Sequence, residues 1–277
     1  MGARIGILTQ TEDRWGEAPF LLGHLADRWR ERGHQVELAT DWERPLACDL
    51  AILHLDLTRI PPRAARWAAA HPRVLNGRVL DISKRRFSGQ LLAPGDPWEG
   101  PVIIKTDLNF GGLPEARLAG CDPQADRWEE VRCLPPDQYP VLPHRSEVPG
   151  AVWTNPSLIV ERFLPERDEE GRYALRCWVF FGEEGIVWRS LSNHPLVKAG
   201  NAFHTEALEE VPPEVWKLRR DLGLDFGKID FGMVGGRAVV YDVNKTPTQS
   251  RVTERSAPFL DRMAGALEAY LAGTPAP

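Results

Sequence analysis

The segment 225–247, DFGKIDFGMVGGRAVVYDVNKTP, constrains this chain more than any other, because two β-rich runs flank a Gly-Gly turn and each brings carboxylates to one end of a hairpin. Strand residues alternate faces, so Asp242 and Asn244 point the same way. Asp230 precedes Asp242 by twelve positions. At that even separation the two lie opposite each other if the connection has an odd number of residues, for example three with a glycine in the left-handed region. Asp230, Asp242 and Asn244 then form one cluster of oxygen donors. Like charges facing across a sheet repel, so the cluster asks for a divalent cation, and hard oxygen ligands suit Mg²⁺. The same spacing also fits an edge hairpin with solvated carboxylates.

Lysine usage weighs between these readings. Of 34 basic residues 28 are Arg and six are Lys, so solubility is served by arginine and each lysine is worth locating. Lys84 follows DIS, Lys105 ends the apolar run PVII, Lys198 closes NHPLVK, and Lys228 and Lys245 flank the carboxylate hairpin. Only Lys217 sits in an ordinary charged, helix-like stretch. A compact ammonium on a flexible stem suits phosphate oxygens, whereas arginine offers a planar fork.

A chain of 277 residues can bury a large core and hold two or three subdomains. A net charge of -5, without basic runs interleaved with aromatics, argues against nucleic acid or an anionic membrane as partner. The first residues are too briefly apolar for a signal peptide, and no uncharged run reaches a membrane span. Cys48, Cys121, Cys133 and Cys177 form no C-x-x-C pair and have no histidine at ligand spacing, which fits a reducing cytoplasm. The glycine-rich dinucleotide and P-loop signatures, the nucleophile-elbow serine and the zincin motif are all missing.

Along the chain, RIGILT, a helical stretch ending at Gly33, a strand near 35–38, DLAILHL and a helix over 61–70 predict a small parallel α/β unit in about the first 75 residues. Residues 114–157 read as a proline-rich excursion with little regular structure. SLIVERFL restores a strand, 176–181 and 185–191 an antiparallel pair, 212–222 a helix, and 257–271 one terminal amphipathic helix.

Taken in order, these pieces resemble the ATP-grasp superfamily of ATP-dependent ligases, of the carboxylate-amine type. The resemblance runs through Lys84, then Lys105 with TDLNFGG after it, then LIVERFL, Arg176, Asp230 and finally DVN at 242–244. It covers essentially the whole chain, and D-x-N-K-T-P after a hairpin is its most specific element. It implies an α/β (α+β) fold: an N-terminal parallel α/β (pre-ATP-grasp) domain over 1–80 and an ATP-grasp domain over 81–277. ATP would lie between two subdomains, with a hinge near 161–166.

By the same resemblance, Lys84 and Lys105 hold ATP phosphates under a closing loop that contains Gly111 and Gly112, and Lys198 contributes to the nucleotide site. Glu161 meets the adenine amino group, while the Arg162 carbonyl and the Leu164 amide read the adenine edge. Glu166 or Asp168 meets the ribose, because Ala174 stands where relatives carry an acid. Asp230, Asp242 and Asn244 hold one or two Mg²⁺ ions, with Mn²⁺ as a substitute; Asp242 stands where relatives usually have Glu. Lys228, where many relatives carry Arg, stabilises the acyl phosphate and tetrahedral intermediate, and Arg176 reaches the γ-phosphate or the substrate carboxylate.

The expected activity is activation of a small-molecule or peptide carboxylate as an acyl phosphate and its transfer to an amine, releasing ADP and phosphate. A small-molecule kinase or a regulatory nucleotide-binding module stands as the alternative. Substrate contacts are expected from the N-terminal unit, the loop after Lys198 and Thr248–Arg251, with no nucleic-acid or membrane partner and a homodimer allowed.

Overall fold

The structure is a computed structural model and describes residues 2–120, 125, 127–254 and 256–273. Met1 and Cys121 lie outside them. The chain opens with β1 (Arg4–Leu8), α1 (Leu21–Glu31), β2 (Gln35–Ala39), β3 (Leu50–Leu53), α2 (Pro62–Ala69) and β4 (Val74–Leu75). These strands form a parallel sheet in the order β2-β1-β3-β4, as the alternation of strand and helix signals predicts. β3 is buried at all four positions, which is why it reads as an unbroken apolar run. α1 turns Leu21, Leu22, Leu25, Ala26 and Trp29 inward, and Gly33, at φ 88°, follows its end.

Next come α3 (Lys84–Phe87), β5 (Val102–Thr106), α4 (Leu113–Ala119), β6 (Val141–Leu142), α5 (Gly150–Thr154) and β7 (Leu158–Arg162). An antiparallel sheet runs in the order β6-β5-β7. Its period of two divides the labour: Val102, Ile104, Leu158 and Val160 enter a core with Val148 and Val152. That leaves Ile103, Lys105 and Glu161 for the opposite face. The expected irregularity of 114–157 is correct in kind, since its regular elements are short.

The largest sheet holds β8 (Glu166–Arg167), β9 (Tyr173–Phe181), β10 (Glu184–Ser192), β11 (His204–Leu208), β12 (Phe226–Val234) and β13 (Arg237–Asn244), with α6 (Pro213–Leu222) between β11 and β12. Its order is β11-β10-β9-β12-β13, and β8 pairs with β9. β11 went unforeseen because its residues are short in apolar content and sit at an exposed edge. The terminal helix is two, α7 (Ala257–Gly265) and α8 (Leu267–Leu271), with the weak helix former Gly265 at the break.

β12 faces three environments. Phe226 joins Phe181, the parallel sheet and α7 in one core, while Ile229 and Phe231 join Val215 of α6 in another. Lys228 and Asp230 share the face of Phe226 but lie beyond the first core's reach.

Asp230 stands opposite Asp242, as the sequence predicts, and Lys228 stands opposite Asn244. The route differs. Val234 pairs with Arg237 across a two-residue turn with Gly235 at φ 56° and Gly236 at φ 78°, both in the region glycine favours. A bulge then restores the parity: Phe231 faces Val240, so Tyr241 is an extra residue.

Candidate active site

The concave face of β5 and β7 looks across at the Asp230–Asp242 end of the large sheet, and about 820 Å³ of open space lies between them. Lys84, Ile103, Lys105, Tyr139, Glu161 and Asp242 are among the side chains lining it, and the 162–165 segment and the 195–198 loop complete the wall.

Each lysine is placed by a distinct device. Asp107, at the end of β5, accepts the Lys84 amide on its carbonyl at 3.0 Å and the Arg85 amide on its side chain at 2.9 Å, which fixes α3. Lys84, only 2% exposed, then donates to the Leu108 carbonyl at 2.6 Å and meets Asp242 Oδ1 at 3.1 Å. Burial opposes its charge, but the Asp242 carboxylate prevails and the ammonium is held more firmly than in water. Lys105 pairs with Glu161 Oε2 at 2.7 Å, and Lys228 with Asp230 Oδ2 at 2.8 Å. Lys198 is exposed at the cavity wall.

Two carboxylate oxygens of the cleft are left over. Glu161 Oε1 and Asp230 Oδ1 are buried with no hydrogen-bond partner among the described residues. Such acceptors are costly to leave bare, so each marks where a donor or a cation fits. Glu161 Oε1 would accept from an amino group. Asp230 Oδ1, facing Asp242 with Asn244 on the same side, fits a metal ion. Among the described residues no group of three or more His, Cys, Asp or Glu is arranged to hold a metal. The donor set is therefore two aspartates and an asparagine, whose Oδ1 now accepts from the Thr246 amide at 2.7 Å; water and phosphate oxygens would have to complete a Mg²⁺ shell.

Five of the six lysines gather here or beside the hairpin end, and the sixth, Lys217, forms a surface pair with Asp221. Other expected residues are placed elsewhere. Cys177 faces Asp230 across β9 and β12, so Arg176, one residue earlier, points to the opposite side of the sheet. There its guanidinium grips Glu166 through two bonds of 2.8 and 2.9 Å, and Arg189 approaches the same carboxylate at 3.0 Å. Asp168 closes a local turn with Arg172. None of these three borders the cavity; they border a second groove on the far side.

Gly111 and Gly112 are likewise buried in a tight turn rather than hanging over the cleft. A Cβ on Gly111 would come within 2.1 Å of the Leu134 carbonyl oxygen, and both glycines have positive φ. The Arg162 guanidinium turns out to the Gly89 carbonyl at 2.8 Å, leaving its backbone at the wall.

Two tyrosines were missed. Tyr139, 8% exposed, stands by Lys84 and Asp242, and burial pushes its phenol pKa up. Tyr241 lies under Lys105 with its ring centroid 5.9 Å from the ammonium and gives its hydroxyl to the Leu164 carbonyl at 2.8 Å. Only the bulge lets Tyr241 and Asp242, adjacent in sequence, both line the cavity, and the sequence carries no mark of it.

The chain is similar to the solved ATP-grasp ligase PsnB complexed with minimal precursor, at 14% identity over 98% of this chain and 99% of that one, with a TM-score of 0.52. The complex of PsnB with minimal precursor, Mg and ADP gives 13% identity, 96% and 97% coverage and a TM-score of 0.51. This chain has the ATP-grasp fold. Macrocyclase MdnC from Microcystis aeruginosa MRC, bound with precursor peptide MdnA, is similar at 12% identity, 96% and 99% coverage and a TM-score of 0.50. No protein-family model matches the chain, and no curated protein does. At these identities the likeness is one of fold, and the ATP-grasp cleft is to be read from its own residues.

Proposed function

We propose that the chain is an ATP-dependent ligase that activates a carboxylate and passes the acyl group to an amine. The observation that carries this reading is the gathering of Lys84, Lys105 and Lys198 along one cleft whose end holds two in-register aspartates, Asp242 paired with Lys84 and Asp230 with Lys228. A cation-rich wall facing paired carboxylates suits a polyphosphate held with Mg²⁺. Asp230, Asp242 and Asn244 would hold the metal, which supplies charge neutralisation on the phosphates when bound. Glu161, with the backbone of Arg162 and Leu164, would take the adenine. Residues 1–80 and 81–277 would be the two domains, the second made of two subdomains hinged near 161–166 with ATP between them.

In the proposed reaction a substrate carboxylate oxygen attacks the γ-phosphorus, the bond to the β-bridging oxygen breaks, and ADP leaves. The amine then attacks the acyl carbon, phosphate departs with the acyl oxygen, and the amine proton is lost to solvent. Lys228 would stabilise the charge on the tetrahedral oxygen. PsnB and MdnC were solved with a precursor and a precursor peptide, so peptide carboxylates belong among the substrates tried. The test is ADP release across a panel of carboxylates, each with and without amines. Amine-dependent turnover is the expected result; ADP release with a stable phosphorylated product and no amine requirement would make the chain a kinase, and no nucleotide turnover at all would leave a binding module.

A further inference from the structure

Tyr139 reaches the cleft from the irregular segment 132–140 before β6, and that segment is seated at two points. The Leu134 amide donates to the Gly111 carbonyl at 2.8 Å, and the Ile104 amide of β5 donates to the Pro140 carbonyl at 3.0 Å. Between them the Gln138 amide closes a turn on the Pro135 carbonyl at 2.9 Å. The two glycines make the first seat possible. A Cβ on Gly111 would come within 2.1 Å of the Leu134 carbonyl oxygen, and one on Gly112 within 3.1 Å of the Arg132 carbonyl oxygen. Pro136 and Tyr139 then face the cavity.

Tyr139 is 8% exposed, yet it belongs to none of the apolar cores of the described residues. Its phenol stands beside Lys84, Asp242 and Thr106 instead. A ring buried among charges gains little from apolar packing, so the hydroxyl is the part of this side chain that the site uses. Its place along the cleft decides what it meets. With the base at 161–164, as proposed above, the last phosphate of a nucleotide lies at the Asp230–Asp242 end, and Tyr139 is at that end with Lys84.

Donors there are few. An ammonium has three protons. Lys84 directs two of them to the Leu108 carbonyl at 2.6 Å and Asp242 Oδ1 at 3.1 Å, and Lys105 directs two to Glu161 Oε2 at 2.7 Å and the Tyr241 carbonyl at 3.3 Å. Each keeps one for a phosphate. A phosphoryl group in transfer spreads its charge over three equatorial oxygens, and each of them calls for a donor. A phenol supplies one without bringing another cation beside Lys84.

We propose that the Tyr139 hydroxyl donates to the γ-phosphate of the bound nucleotide and is a further catalytic residue, with Gly111 and Gly112 acting through the segment they seat. This rests on the ATP site of the ligase reading and not on its amine acceptor.

The test is calorimetric titration of the full chain, in Mg²⁺, with ADP and with the β,γ-imido analogue of ATP. The wild type is expected to bind both. Tyr139→Phe should bind the analogue at least about tenfold more weakly and ADP as well as before, because the lost bond to an ionised oxygen exists only where a γ-phosphate is present. A merely structural tyrosine would move both nucleotides alike or neither, and either result overturns the assignment. Should Tyr139→Phe fail to fold, a ring-fluorinated tyrosine at position 139 keeps the hydroxyl. Its fluorine resonance should then shift further with the analogue than with ADP, and equal shifts overturn the assignment. The two readings fail separately. A wild type that binds neither nucleotide ends the ATP site itself, whereas a wild type that binds both, matched by Tyr139→Phe, leaves that site standing and removes Tyr139 from its chemistry.

Discussion

Lys105 lines the cleft and Lys228 pairs with Asp230 at its end, but the two should fail differently when replaced. Lys105 sits among the groups proposed to face the nucleotide, paired with Glu161 at 2.7 Å. Lys228 is on the central strand beside Asp230, where charge would develop after ATP has bound. A positioned donor to such charge is worth about 2.7 to 4 kcal/mol, so Lys228→Met should lower kcat by roughly two to three orders of magnitude with little change in ATP affinity. Lys105→Met should raise the Kd for ATP first. The reverse pattern would make Lys228 a nucleotide ligand and end the division of labour. His54 offers a test of the fold instead. It is fully buried against Trp15 and Phe20, neither ring nitrogen has a hydrogen-bond partner among the described residues, and burial drags its pKa from 6.5 to about 3. Below pH 6.5 the unfolded chain takes up a proton that the folded one refuses. Stability should therefore be complete above 6.5 and fall by up to about 1.4 kcal/mol per pH unit on the way down to 3. Tm measured against pH for wild type and His54→Phe would show it, the variant losing less on acidification; identical slopes would mean that His54 titrates normally in the fold.

Among elements, the hairpin shows what a sequence can and cannot announce. Alternation of side chains and the Gly-Gly pair made the Asp230–Asp242 pairing legible. A two-residue turn plus a bulge gives the same outcome as the three-residue loop expected, and parity alone cannot tell them apart. Gly111 and Gly112 were legible as special backbone but not as to cause, because what approaches them, the 132–136 strand of chain, is remote in sequence. Arg176 was misplaced for a simpler reason: its face is set by the register of β9 on β12, which no local pattern encodes. The bulge itself yields a prediction. Tyr241 bridges the Leu164 carbonyl at 2.8 Å and the Glu166 amide at 3.2 Å, locking the segment proposed to read adenine. Tyr241→Phe leaves both groups unserved, a loss of about 1–3 kcal/mol in stability. ATP KM should rise while kcat changes little. An unchanged KM alongside lowered stability would reduce Tyr241 to a structural role.

At the scale of the whole molecule, the cleft exists only when two sheets and α3 are assembled, since α3, β5, β7, β12 and β13 each contribute to it. The order of these pieces was readable along the chain, and so the fold was; their mutual placement was not, because it depends on packing such as Phe181 and Phe226 against the parallel sheet and α7. A ligand recognised by five elements binds the folded state alone and must stabilise it. At a hundredfold excess over Kd the gain is about 2.7 kcal/mol, which corresponds to a Tm rise of roughly 5 to 10 °C. Mg²⁺ should be required for part of that rise, and chelation by EDTA should remove that part and all turnover. Asp242 decides whether the metal is the reason. Asp242→Ala removes the ion-pair partner of Lys84, which is 2% exposed, so it risks stranding a buried cation and blurring the result. Asp242→Asn keeps an acceptor for that ammonium and deletes only the charge that an Mg²⁺ ion needs. Scanned with ATP, with and without Mg²⁺, the Asn variant should fold, keep a metal-independent shift, lose the Mg²⁺-dependent increment and lose turnover. If it retains both the increment and wild-type turnover, Asp242 is no metal ligand, and the paired carboxylates of this hairpin serve only to seat Lys84 and Lys228.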